Sequence, residues 1–133
     1  MDEVHDIREQ MASAIKAKLP AGAGVVLEAR AGLTGRVVVV ELPDSVPLWP
    51  QMAPNQKVYF QPVMSVAVII TPPWDSEGGR RLVNDVIGAM SAVAEMNCVL
   101  APEGATRGTY ETGSGQSLPC YRFTAQYPKP IEG

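Results

Sequence analysis

The run Val63-Met64-Ser65-Val66-Ala67-Val68-Ile69-Ile70 is the tightest constraint on how this chain can fold. Successive side chains of a strand point to opposite faces, and here both sets are apolar or small. Met64, Val66, Val68 and Ile70 fall on one side, and Val63, Ser65, Ala67 and Ile69 on the other. Such a strand belongs inside a sheet with both faces at least partly covered. The β-prone stretch is longer, Lys57 to Thr71, but as a single strand it would extend about 50 Å at roughly 3.3 Å per residue, too far for a small domain. Pro62 interrupts it, so a break or bulge is expected there.

The flanking segments set the order of elements. From Asp2 to Leu19, Val4, Ile7, Met11, Ile15 and Leu19 recur at helical spacing, with Glu3, Arg8, Glu9, Gln10 and Lys16 off the stripe. Pro20, Gly22 and Gly24 end that helix. Val25 to Arg30 alternates as a strand with one wet face, and the link Ala31 to Gly35 leads into Val37 to Val40, which reads as a hairpin. Pro43, Pro47, Pro50 and Pro54 around Trp49 predict a semi-extended loop from Pro43 to Asn55. Pro72-Pro73-Trp74 stops the central strand. Asp75 or Ser76 then caps a helix from Glu77 to Met96. Its broad stripe is Leu82, Val83, Val86, Ile87, Met90, Val93 and Ala94, leaving Arg80, Arg81, Asn84, Asp85 and Ser91 opposite, and Asn97 is a left-handed stop. A strand near Cys98 to Ala101 follows, then an extended piece from Thr106 to Thr112, a turn at Gly113-Ser114-Gly115, and a last strand from Cys120 to Tyr127. In that strand Tyr121, Phe123, Ala125 and Tyr127 face one way, Arg122, Thr124 and Gln126 the other, and Pro128 and Pro130 end it. The order α-β-β-β-α-β-β predicts an α+β fold: a mostly antiparallel sheet with two helices on one face.

With 133 residues, 46% of them apolar and 19% charged, the chain has the size and composition of one globular domain, residues 1–133. The formal charge of −3 without a basic run gives no general attraction to nucleic acid or anionic lipid. The longest apolar run, Val66 to Ile70, is far below the roughly 20 residues that cross a bilayer, and Met1-Asp2-Glu3 is the wrong start for a secretory signal. The expectation is folding in a cytoplasm. Cys98 and Cys120 are too few and too far apart for a zinc ribbon or redox pair, and read as buried or half-buried free thiols.

No residue pattern announces chemistry, and the expectation is a protein that is not an enzyme and needs no metal or cofactor. His5 lies in the first turn of the first helix, off its apolar stripe, and reads as a solvated surface histidine. Gly22-Ala23-Gly24 and Gly113-Ser114-Gly115 lack the strand-to-helix setting of phosphate loops, and Ser114 lacks both a nucleophile-elbow pattern and an orienting histidine. Asp75, Glu77 and Asp85 do not have calcium-loop spacing and fit capping near a positive helix end. The methionines, Met52, Met64, Met90 and Met96 among them, are adaptable core fillers. Arg80-Arg81 beside Gly78-Gly79 is either a solvated helix face, an anion site or an inter-subunit salt bridge. Trp49 and Trp74, each among prolines, either plug the edge of the core or anchor a partner.

Taken in order, these elements resemble the tail terminator, or tail completion, proteins of long-tailed bacteriophages. The similar portions are Pro62-Val63-Met64-Ser65-Val66-Ala67-Val68-Ile69-Ile70-Thr71 with the helix Glu77 to Met96, and the closing Leu118-Pro119-Cys120-Tyr121-Arg122-Phe123-Thr124-Ala125. The likeness runs over nearly the whole chain, while the Pro43 to Pro54 segment and Pro72-Pro73-Trp74 match no pattern of that family. It implies a structural protein of the virion tail, assembled in the host cytoplasm. A six-fold ring would cap the tail tube, stop its polymerisation and offer its other side to the head-tail connector, with DNA passing through unbound. Self-association, tail tube protein and connector are the implied partners. Two independent expectations fit it: apolar sheet left over for a neighbouring subunit, and unpaired strand edges that extend a sheet between protomers. The expected contacts are Trp49 and Tyr110 on their loops, the Arg80-Arg81 corner, and an exposed edge from Arg36 to Glu41. Alternatives are another neck or head-tail joining protein, or a small-molecule-binding α+β domain whose pocket is lined by Trp49, Trp74 and Tyr121.

Overall fold

The computed structural model describes residues 3–19, 23–26, 36–47, 59–70, 76–111, 115 and 117–132, without the side chains of residues 23, 24, 26, 36, 70, 76–81 and 132. Helix α1 is Glu3–Lys18 and helix α2 is Ser76–Glu95. The strands are β1 (Ala23–Val26), β2 (Arg36–Val40), β3 (Tyr59–Phe60), β4 (Val63–Ile70), β5 (Val99–Leu100), β6 (Thr106–Glu111), β7 (Ser117–Gln126) and β8 (Ile131–Glu132). The fold is α+β, and its main elements follow the order expected.

The principal sheet runs β1-β2-β4-β7-β5, with β6 also on β7. Its central strands are the β-branched runs. Val37↔Ile69 and Val39↔Ala67 pair β2 with β4, and Met64↔Ala125 through Ile69↔Cys120 pair β4 with β7, all antiparallel. The break at Pro62 is present: β3 ends at Phe60, β4 begins at Val63, and Tyr127 N–H donates to the Pro62 carbonyl at 2.9 Å. A small second sheet was not expected. It pairs β3 with β8, beyond Pro128 and Pro130.

Both helices lie on one face. Ile7, Met11 and Ile15 of α1, with Leu82, Val86, Ala89 and Val93 of α2, pack on Val38, Val40, Met64, Val66, Val68, Phe123 and Ala125. Each set occupies alternate strand positions, which is why period-two reading assigns this face. Gly88 admits the end of α1 against α2, since a Cβ there would stand 3.2 Å from Leu19 Cδ2, and Lys18 pairs with Glu95 beside it. Helix α2 stops at Asn97, whose φ of 64° is the left-handed stop, with Asn97 N–H donating to the Ala94 carbonyl. Asp75, the other candidate cap, lies outside the described residues. No described helix is long and apolar enough to cross a membrane.

Four expectations about the scaffold are corrected. First, β1 and β2 do not form a hairpin: they run parallel, Ala23↔Arg36 to Val26↔Val39. Alternation marks a strand but carries no direction, and the short glycine-bearing link favours the antiparallel pairing that the register excludes. Second, Arg8 is buried rather than off the packed side, because its Nε and Nη2 both donate to the Val40 carbonyl, at 3.2 and 2.9 Å, where β2 ends. Third, Asp85 is only 1% exposed, on the side of α2 that holds Leu82 and Val86. Fourth, the apolar stripe of α2 is wider than its contact with the sheet: Val83 and Ile87 are 49% and 58% exposed, and Ala94 is also exposed.

Candidate functional site

The sheet's second face divides into an apolar half and a polar seam. Val37, Val39, Ala67, Ile69, Leu118 and Cys120 form the apolar half, each 6% exposed or less, with Tyr110 packed against them. The expected surplus of bare apolar sheet is therefore overturned on this face, which is sheltered within one copy. Next to it, Arg122 donates from Nε and Nη2 to Glu41 at 2.7 and 3.2 Å, and Nη1 and Nη2 stand 3.5 Å from the Thr109 carbonyl. Glu41 lies beyond β2 and Thr109 on β6, so this one side chain on β7 reaches across β4 on one side and to β6 on the other.

Glu41 anchors the seam. Its Oε1 also accepts from Ser65 Oγ at 2.9 Å, so one carboxylate ties β7 and β4 to the exit of β2. The pair is mostly buried and two-pronged, the geometry in which an Arg-carboxylate contact is strong. That bond holds the Arg122 guanidinium charged, raising its pKa against the opposing effect of burial. The Cys120 thiol is pushed up chiefly by burial, with nearby Arg122 opposing and Glu41 adding. Cys98 is pushed up by burial alone. Both thiols are free and buried, as expected, and they belong to the two opposite packed faces.

Beside the seam a shallow hollow is lined by Glu103, Gly104, Arg107 and Arg122. None of the described buried side-chain polar atoms lacks a hydrogen-bond partner. Among the described residues no three His, Cys, Asp or Glu side chains gather as metal ligands. His5 sits on the surface, 3.0 Å from Glu9 one turn on. Of the aromatic trio considered for a pocket, Tyr121 packs half-buried on the helix side, and Trp49 and Trp74 lie outside the described residues.

Of the six expected contact residues, only Glu41 and Tyr110 have side chains among the described residues, and both lie near Arg122. Arg36 opens β2, an inner strand between β1 and β4, so the stretch Arg36 to Glu41 is not a sheet edge, and Glu41 is committed to Arg122 and Ser65. Tyr110 is half-buried opposite Leu118. Arg80 and Arg81 lie in the second turn of α2, and their side chains, like that of Arg36, are outside the described residues, as is Trp49 entirely.

Sequence reasoning missed the surface that is open. Val83, Ile87 and Ala94 each follow by one residue the buried Leu82, Val86 and Val93 and stand exposed, so they form a second ridge about 100° around α2, while Met90 in the same row is half-buried against the core. A second exposed apolar patch follows β2, at Leu42 (69%) and Val46 (46%), where Ser45 bridges to Val63. The signal for the first was present in the sequence, as a stripe too broad for one helix contact. No protein-family model and no curated protein matches this chain.

Proposed function

We propose that this chain is the subunit of a closed ring that caps a phage tail tube, ends its polymerisation and meets the head-tail connector. What supports the reading, beside the resemblance in element order, is one observation: among the described residues the large exposed apolar side chains, apart from Val99 on β5, fall in two pairs on different elements. One is the α2 ridge of Val83 and Ile87, the other the Leu42 and Val46 segment after β2. A ring joins subunits head to tail, and each subunit then needs two unlike surfaces that fit each other. In this reading the ridge of one subunit packs on the Leu42-Val46 segment of the next. The sheltered second face of the sheet takes no part. The subunit is a component of the virion tail and performs no chemistry; its work is done by surface contact. With a net charge of −3 it does not grip the DNA that passes through.

The test is to measure mass by light scattering for the purified chain alone and with isolated tail tubes, and to image tube ends by electron microscopy. The expected result is a closed oligomer, near six copies, formed alone or on contact with tubes and seated at one end only. A chain that stays monomeric in both settings and leaves tube growth unaltered sinks the reading. Binding to a connector without binding to tubes would turn it toward another neck protein.

A further inference from the structure

A different edge carries a two-fold contact. Strand β6 pairs only with β7 among the described residues, and Thr106, Arg107, Gly108, Thr109 and Glu111 are all exposed. Its hydrogen-bond polarity follows from Pro119, which stands opposite Thr109 and has no N–H to give. Thr109↔Pro119 is therefore a pair that exchanges no hydrogen bonds. The bonded pairs are its neighbours, Gly108↔Cys120 and Tyr110↔Leu118. Arg107, Thr109 and Glu111 consequently turn their N–H and C=O groups outward, along a free edge.

We propose that two copies of this chain join through β6, antiparallel, about a two-fold axis at Thr109. Three features of the strand select that partner and register. Outward-facing Arg107, Thr109 and Glu111 can bond only to outward-facing residues, so a copy must set odd positions against odd. With Thr109 against its twin, Arg107 of each copy lies directly across from Glu111 of the other, twice over. Registers centred on Arg107 or on Glu111 put like charges face to face. The same alignment places Tyr110 of each copy across from Gly108 of the other, where Arg122 Nη1 stands 3.6 Å from the position of a Gly108 Cβ, so the partner's ring meets that guanidinium over the glycine. The long approach of Arg122 to the Thr109 carbonyl leaves that oxygen a second lone pair for the partner.

The bland account of Arg107 and Glu111 is that charges on an edge keep other strands away. Two copies of one sign would do that; opposite signs placed symmetrically about Thr109 invite the chain's own twin. The contact does not rest on the ring reading, since it uses neither α2 nor the Leu42-Val46 segment.

The experiment is sedimentation equilibrium on five forms of the full chain, with circular dichroism to verify that each is folded. The wild type is expected to form dimers, or larger species built from them. Glu111→Arg places arginine against arginine and is expected to weaken the contact by at least about ten-fold in Kd. The double exchange Arg107→Glu with Glu111→Arg restores complementarity and is expected to recover association. Thr109→Pro removes the N–H at the axis and is expected to abolish it. Folded Glu111→Arg that associates like the wild type overturns the proposal. So does a folded double exchange that stays apart, or a wild type that is monomeric at every concentration. Val83→Asp with Ile87→Asp is the control for the ring reading, and it is expected to leave the β6 contact intact.

Discussion

At Glu41 one carboxylate holds two neighbours, accepting from Ser65 Oγ at 2.9 Å and from Arg122 Nε at 2.7 Å. Removing it leaves a half-buried guanidinium with the weak Thr109 contact alone, and an uncompensated charge of that kind costs more than the bond itself was worth. Glu41→Ala is expected to lower stability by about 2 kcal/mol in urea unfolding. Combined with Arg122→Met the loss should be smaller than the sum of the two single losses, because the stranded charge is gone. The thiols make a prediction in pH. Burial raises the Cys98 and Cys120 pKa values, so the unfolded chain ionises first. Their contribution to stability is complete below the ordinary thiol pKa and is lost as pH rises through that value toward the raised ones. Urea midpoints measured from pH 7 to pH 10 should therefore fall less steeply in Cys98→Ala with Cys120→Ala than in the wild type. Equal slopes would mean that the thiols ionise as freely folded as unfolded.

Among the elements, what could be read from sequence was what depends on local geometry. Met64, Val66 and Val68 against Ser65, Ala67 and Ile69 follow from the period of a strand, the break before Val63 follows from Pro62, and the end of α2 follows from Asn97. What could not be read depends on who lies across the gap. The direction of β1 along β2 is parallel, and no side-chain pattern in Val25 or Val37 encodes it. Arg8 is buried because the Val40 carbonyl, distant in sequence, is there to receive it. Periodicity sends any arginine outward. The α2 ridge was hidden in a different way: Val83 and Ile87 are as apolar as Leu82 and Val86, and the sheet is simply too narrow to reach both rows. The Asn97 stop gives the test at this scale. Its φ of 64° suits glycine without strain and a β-branched residue poorly. Asn97→Gly is expected to change stability by less than about 1 kcal/mol, and Asn97→Val to cost about 1 to 2 kcal/mol with fraying at the end of α2. Thermal melts and amide exchange at residues 93–96 would reveal either outcome.

For the whole molecule, the question is whether its exposed apolar patches meet each other or meet themselves. A ridge that pairs with its own copy forms a closed two-fold dimer and ignores the second patch; a ridge that fits the Leu42-Val46 segment propagates from copy to copy until a ring closes. Two variants separate these geometries when both carry Glu111→Arg, so that β6 contributes nothing. Val83→Asp with Ile87→Asp destroys the ridge, and Leu42→Asp with Val46→Asp destroys the segment. All four positions are 46% exposed or more, so the folded subunit should tolerate the charges within about 1 kcal/mol. If the contact is head to tail, each variant alone is monomeric, yet each keeps the half that the other lacks. An equal mixture should then form a one-to-one pair and nothing larger, because the pair has no intact surface left to extend. If the ridge pairs with itself, the segment variant alone keeps the mass of the Glu111→Arg parent, and mixing the two variants produces no new species. A pair that appears only on mixing is an outcome that no self-pairing surface can imitate, which makes the mixture a sharper measure of ring-forming geometry than the mass of the wild type.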